Sequence, residues 1–205
     1  MVDTADLPPT QKGRKFELQA LGLRDFAGLK RDDQRLDPFR LAKYANLFVP
    51  PFDELKASIS EETLKHLLGE GSGDWSGGAC SVPLPDGRKL IILNPTHSKS
   101  RQHATLMEEI SHVFLGHKPS RLAVTTKTRD GRIRARDYHH EIEEEAYGTG
   151  AAALVPYTAL KRFVREGKTS AEIARKFNVS RQLVEYRIKV SRLWDDYKEN
   201  VFSAA

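Results

Sequence analysis

The sequence predicts an α+β fold, on three observations. Helical patterning occupies both flanks of the chain, a strand–turn–strand signal sits near its middle, and a pair of short helices joined by a turn lies toward its end. The order is helices, hairpin, helix, loop, helix and then the paired helices, with no repeat or low-complexity tract.

Residues 1–36 are mostly polar, with Pro8 and Pro9 and mixed charge from Arg24 to Arg35. They read as a peripheral or partly disordered leader with room for a short helix. Asp37-Pro38 starts a helix, Asp37 as cap and Pro38 in the first turn, carrying the apolar Phe39, Leu41, Ala42 and Ala45. Pro50-Pro51 breaks the chain. A second helix covers residues 59–68, capped by Ser60, and the glycine-rich residues 69–78 read as a loop. Residues 80–84, the turn Pro85-Asp86-Gly87 and residues 88–93 predict a hairpin, with Leu90-Ile91-Ile92-Leu93 as a buried strand ended by Asn94-Pro95. Ser98 or Ser100 caps a helix that runs to Phe114 or Leu115 and stops at Gly116. Residues 121–136 are basic and irregular, with a turn at Asp130-Gly131. A further helix runs from about His140 to Leu154 and ends at Pro156. The predicted division is therefore a leader (1–36), a central domain (37–156) and a helical tail (157–205).

At 205 residues, 39% hydrophobic and 30% charged, the composition suits a soluble globular protein. No apolar run approaches the ~18–20 residues that a membrane span needs, so no membrane partner is expected. The first residues, Met-Val-Asp-Thr-Ala-Asp, lack the basic stretch and apolar core of a secretory signal. Cys80 is the single cysteine, which excludes an intrachain disulfide and makes the cytoplasm the economical location. Charge is uneven: residues 157–205 hold 11 Lys/Arg against 6 Asp/Glu, whereas residues 1–156 hold 22 of each. The excess suits nucleic acid or an acidic partner surface, and a solvated helix face is the bland alternative.

The informative segment runs Met107-Glu108-Glu109-Ile110-Ser111-His112-Val113-Phe114-Leu115-Gly116-His117. On a helix, Glu108 and His112 point the same way, and Glu109 sits one step round, placed to reach an attacking water rather than a cation. This is the geometry of H-E-x-x-H, in which two histidines hold zinc and the glutamate is general base. Here the first histidine is Glu108, so the motif reads E-E-x-x-H. A third ligand is to come from a later helix, and Glu143-Glu144-Glu145-Ala146-Tyr147 can supply it. An isolated E-E-x-x-H reads as a solvated acidic face beside a half-buried histidine; the second acidic helix shifts that balance. The pattern Met107, Ile110, Val113, Phe114 reads as core, His117 as a cap on carbonyls after Gly116, His103 as lying on the opposite face, and Cys80 as a packed strand residue.

The stretch from Glu143 to Pro156 resembles the second signature of the ImmA/IrrE family of zincin-like metallopeptidases, roughly E-x-E-A-N-x-F-A-A-x-L-L-M-P. Ile91-Ile92-Leu93-Asn94, Arg101-Gln102-His103 and Leu115-Gly116-His117 also resemble that family's pattern, so the similarity covers roughly residues 37–156. The resemblance implies a zincin-like domain with a small sheet and an active-site helix. It implies Glu143 as third ligand, although sequence alone leaves Glu144 and Glu145 open. It also implies metal-dependent endopeptidase activity on a specific regulatory protein, such as a transcriptional repressor of the helix-turn-helix type, in stress, prophage or mobile-element control.

Three readings follow from the changed ligand. In the first, Glu108, His112 and Glu143 hold a divalent metal with Glu109 as base; Zn2+ leads, and the oxygen-rich set widens tolerance toward Mn2+ or another divalent ion. In the second, His139 or His140 replaces the missing imidazole, since they precede Glu143 by four and three residues. In the third, the scaffold binds no metal and serves as a catalytically inactive regulator that binds a protein partner or DNA. Residues 89–93 could accept an extended substrate by strand addition.

The tail resembles a helix-turn-helix. Thr169 and Glu172 form a capping-box pair, Ile173, Ala174 and Phe177 an apolar stripe, Asn178-Val179 the turn, and Ser180 the next cap. As a DNA reader it would present Arg181, Gln182, Glu185 and Lys189 toward base edges, with Arg187 a further contact. The expectation is weak, sequence-indifferent DNA contact, ranked below protein docking.

Overall fold

In the computed structural model, which describes residues 6–80, 82–117 and 140–202, the architecture is α+β and mostly helical. Thr10 starts the first helix by accepting a hydrogen bond from the Gly13 amide, and α1 spans Gln11–Phe26. This corrects the expectation of a peripheral leader. α1 buries Phe16, Glu17, Ala20, Leu23 and Arg24, a stripe at helical spacing whose two charged members hide it from a hydropathy reading.

Asp37 caps α2 (Pro38–Tyr44) by accepting from the Phe39 and Arg40 amides. β1 (Leu47–Phe48) and α3 (Phe52–Leu55) follow, and Ser60 caps α4 (Glu61–Leu68). The regular part of the hairpin's first strand starts earlier than its sequence signal: β2 is Gly77–Ala79, and it pairs antiparallel with β3 (Lys89–Leu93), while the Cys80 and Leu84 amides donate across the expected hairpin to the carbonyls of Leu90 and Arg88. Gly77 is a strand residue for a steric reason, since a Cβ there would lie 2.7 Å from Thr105 Cγ2 and 2.9 Å from the Ile92 carbonyl oxygen. β1 adds parallel to β3, giving the order β1-β3-β2. A two-residue strand carries no readable alternation, so β1 has no sequence signal. β1 pairs with Lys89 and Leu90 of β3, while β2 pairs with Ile91, Ile92 and Leu93 on the other side.

Asn94 ends β3 and shapes the approach to the next helix. Fully buried, its Nδ2 donates to the carbonyls of Ser72 and Trp75 at 2.8 Å each, and its Oδ1 accepts from the Thr96 amide at 2.9 Å. Ser98 then caps α5 (Lys99–Phe114). Met107 and Ile110 are core as expected, whereas Phe114 is 46% exposed. The turn at Asp130-Gly131 lies outside the described residues.

α6 (His140–Leu154) is the centre of the helical layer. Its run Gly148-Thr149-Gly150-Ala151-Ala152-Ala153 is buried throughout and lets two helices approach closely. A Cβ on Gly150 would lie 3.1 Å from the Met107 carbonyl carbon of α5, and one on Gly148 would lie 2.4 Å from the Phe16 ring of α1. Arg24 of α1 reaches the end of α6: its guanidinium donates to the Ala153 carbonyl (2.9 Å), one of the groups that the helix terminus leaves unpaired, and to the Gln34 carbonyl (2.7 Å) in the loop after α1.

The tail forms α7 (Tyr157–Arg165), α8 (Ser170–Phe177), α9 (Arg181–Val190) and α10 (Trp194–Phe202). The Thr169/Glu172 capping box is present, Asn178 turns the chain with φ +57°, and Ser180 caps α9. The tail is not a separate unit, because Leu160, Ile173, Phe177, Val184 and Ile188 belong to one core with Leu106, Ile110 and Ala152. Glu17 crosses the proposed boundary. Its carboxylate accepts from the Tyr157 amide and from Arg187 Nη2, both at 2.7 Å, while Arg187 Nε donates to the Val155 carbonyl at 3.0 Å. Burial pushes the Glu17 carboxyl up against the pull of Arg187 and the Tyr157 amide. Arg187 is therefore a core residue, which removes it from the nucleic-acid contacts expected of α9. Among the described residues, no helix is long and apolar enough to cross a membrane.

Replacing Arg187 alone should be costly, because it strands a buried carboxylate. Arg187→Met is expected to lose about 3–5 kcal/mol in urea denaturation, and the paired Glu17→Leu, Arg187→Met variant to regain part of it. An Arg187→Met protein as stable as the parent would show that the pair contributes little.

Candidate metal centre

α5 and α6 cross where Gly150 removes a side chain, and that crossing sets the site. Glu108 and His112 lie one turn apart on α5, and Glu143 lies on the first turn of α6. One ligand atom from each of the three comes within 4.8 Å of the others. His112 Nε2 stands 3.4 Å from Glu143 Oε2, with the two side chains 19% and 14% exposed. Glu109, half-buried, occupies the next position on α5.

The three consecutive glutamates at the start of α6 separate by partner. Glu144 pairs with Lys12 and lies 3.8 Å from His140 Nδ1. Glu145 pairs with Lys15 at 2.8 Å and accepts from the Gln19 amide. Burial pushes the Glu145 carboxyl up, but Lys15, Gln19 and His117 outweigh it and hold it below the usual carboxylate range. Glu143 alone of the three joins Glu108 and His112. Of the two substitute histidines, His139 lies outside the described residues. His140, with its side chain 77% exposed, lines the cleft without belonging to the convergent group.

That cleft has a volume of about 390 Å³ and is lined by Glu108, His140, Glu143, Glu144, Tyr147 and Tyr186. Sequence reasoning missed both tyrosines. Tyr147 follows Glu143 by one helical turn, a spacing that could have suggested it. Tyr186 comes from α9 in the tail, and only the shared core brings it here. Their rings meet edge-on at 5.0 Å. Burial and the Glu108 charge push the Tyr147 phenol up, so it keeps its proton.

His117 was expected to cap carbonyls, and its backbone does so. Gly116 adopts φ +68°, its amide donates to Val113 and the His117 amide to the His112 carbonyl at 2.9 Å, a Schellman ending. The side chain does more: His117 Nδ1 lies 3.0 Å from His112 Nδ1. His103 stays outside the site as expected, against Phe39 and Asn178.

The donor set fits a divalent cation. Two carboxylates and one neutral imidazole supply two negative charges at a half-buried point, and their close approach is favourable when a cation lies between them. Exposed Arg181 and Gln182 lie on α9, where Arg181 Nε is held by Glu185 at 2.7 Å.

No curated protein matches the chain. Residues 54–189, which contain both site helices and run through α9, match the Peptidase M78 family, described as the IrrE N-terminal-like domain, and the chain belongs to that family of metal-dependent peptidases.

Proposed function

We propose that this protein is a metallo-endopeptidase that cuts a specific regulatory protein, with a transcriptional repressor as the substrate class. The observation that carries the catalytic part is the convergence of Glu108, His112 and Glu143 on one point. Glu108, His112 and Glu143 hold the cation, with Zn2+ foremost and Mn2+ tolerated by the oxygen-rich set. When bound, the cation polarises the scissile carbonyl and lowers the pKa of the attacking water. Glu109 takes that water's proton and delivers it to the leaving amine. Tyr147 and Tyr186 line the cleft, where a phenol O–H can donate toward the developing oxyanion. An extended substrate joins an edge of this three-stranded sheet by strand addition.

The repressor part rests on the family and on the tail. Tyr186 ties α9 to the cleft, so a substrate held on the exposed Arg181 and Gln182 face is held beside the scissile bond. The single cysteine fits the reducing cytoplasm in which such a substrate would act.

Metal analysis of protein purified without chelators should find about one divalent ion per chain. His112→Ala should lose it, and unchanged metal content would remove His112 from the ligand set. Glu109→Gln should keep the metal and lose about 10²–10⁴-fold in rate; loss of metal as well would make Glu109 a ligand instead.

The tail gives a separate test by point substitution, because its core is shared with the rest of the chain. The Arg181→Ala, Gln182→Ala variant should cleave a folded repressor more slowly while cutting a short peptide bearing the same bond at the parent rate. Duplex DNA should bind weakly, with affinity falling as salt rises and no preference among sequences. A DNA site bound about 10³-fold tighter than random duplex would make the chain a transcription factor first.

A further inference from the structure

The ending of α5 places a second imidazole directly behind the first. In a Schellman turn, the residue two past the cap folds back over the residue three before it, and a side-chain contact between them is common. Here those residues are His117 and His112, with ring centroids 5.1 Å apart and ring planes at 68°.

Two imidazole nitrogens 3.0 Å apart require one of them to carry the shared proton. His112 Nε2 is the nitrogen that faces Glu143. If it offers a lone pair to a cation, the proton of neutral His112 resides on Nδ1. His117 Nδ1 must then accept it, and neutral His117 carries its own proton on Nε2. That nitrogen lies 3.8 Å from Glu145 Oε2, long for a hydrogen bond but close enough for the carboxylate's charge to favour an N–H facing it. Glu145 is in turn anchored to α1 by Lys15 and Gln19, and Gln19 accepts from Thr149 Oγ1 at 2.8 Å. His117 is 11% exposed, which leaves little room for water to replace it.

We propose that His117 is a positioning residue: by accepting the Nδ1 proton of His112, it fixes the ring orientation and tautomer in which Nε2 faces the cation site. The proposal rests on the reading of His112 as a ligand. Histidine ligands commonly donate their second nitrogen to a carboxylate or carbonyl. Here an imidazole stands between the ligand and the carboxylate. His117 is not a fourth ligand, because its Nδ1 faces His112, its Nε2 faces Glu145, and the convergent group is formed by Glu108, His112 and Glu143.

The test is Zn2+ affinity of the full-length protein, measured by competition with a chromogenic chelator. His117→Leu fills the volume and accepts nothing, so Zn2+ binding should weaken by about 10–100-fold. His117→Asn puts an amide oxygen near the position of Nδ1 and should restore most of the affinity. Thermal melts of the metal-free variants report whether the fold is kept. Parent-like affinity in the Leu variant, or equal loss in the Leu and Asn variants, would overturn the proposal. A parent protein that binds no Zn2+, or a His112→Ala variant that still binds it, sinks the ligand reading itself and the proposal with it. A folding failure in the variants leaves a second measurement on the Zn2+-loaded parent. Long-range 1H–15N NMR should show His112 protonated on Nδ1 and His117 on Nε2; a proton on His117 Nδ1 would refute the arrangement.

Discussion

The site depends on how closely α5 and α6 approach each other. Glu143 can meet Glu108 and His112 only if the two helix backbones nearly touch, and Gly150 is the residue that permits it. The same helix is thin on its other side, where Gly148 receives the Phe16 ring of α1. A helix with glycine and alanine at these positions gives up intrinsic helix stability, since each glycine costs about 1 kcal/mol relative to alanine. Burial between two partners offsets that loss. The short chemistry-bearing turn at the start of α6 is thus set by small residues further along it.

α1 is the second support, and it lies outside the residues that match the family. It supplies Lys12 and Lys15 to Glu144 and Glu145, which assigns two of the three consecutive glutamates to ion pairs with α1. Through Glu17 it also joins the start of α7 to α9. The helix that sorts the consecutive carboxylates of α6 therefore lies before residue 37.

What was legible in the sequence follows from the range of the interactions involved. The caps Asp37, Ser60, Ser98, Thr169 and Ser180 were readable because a cap is a contact over two or three residues. The Glu108/His112 face and the acidic start of α6 were readable from helical spacing. β1, the glycine strand β2, the buried Arg187 and the placing of Tyr186 were not, because each is decided by a neighbour distant in sequence. Arg187 shows the limit well: charge on an amphipathic helix normally marks the solvent face, and here a carboxylate 170 residues away inverts that rule.

The replacement of the first motif histidine by Glu108 changes what the remaining residues must do. In the proposed set of two carboxylates and one imidazole, His112 would be the single nitrogen donor, and it alone would supply the borderline-soft character that separates zinc from harder cations. A carboxylate can present either oxygen and tolerates rotation, whereas an imidazole donates along one direction from one nitrogen. Loss of the second imidazole therefore concentrates the geometric demand on the orientation of His112. The contacts behind that ring run through His117 to Glu145 and α1, and the Schellman turn at Gly116 is what folds them into place. On the proposed roles of His112 and His117, the ordinary device for ending a helix becomes part of what aims its nitrogen ligand.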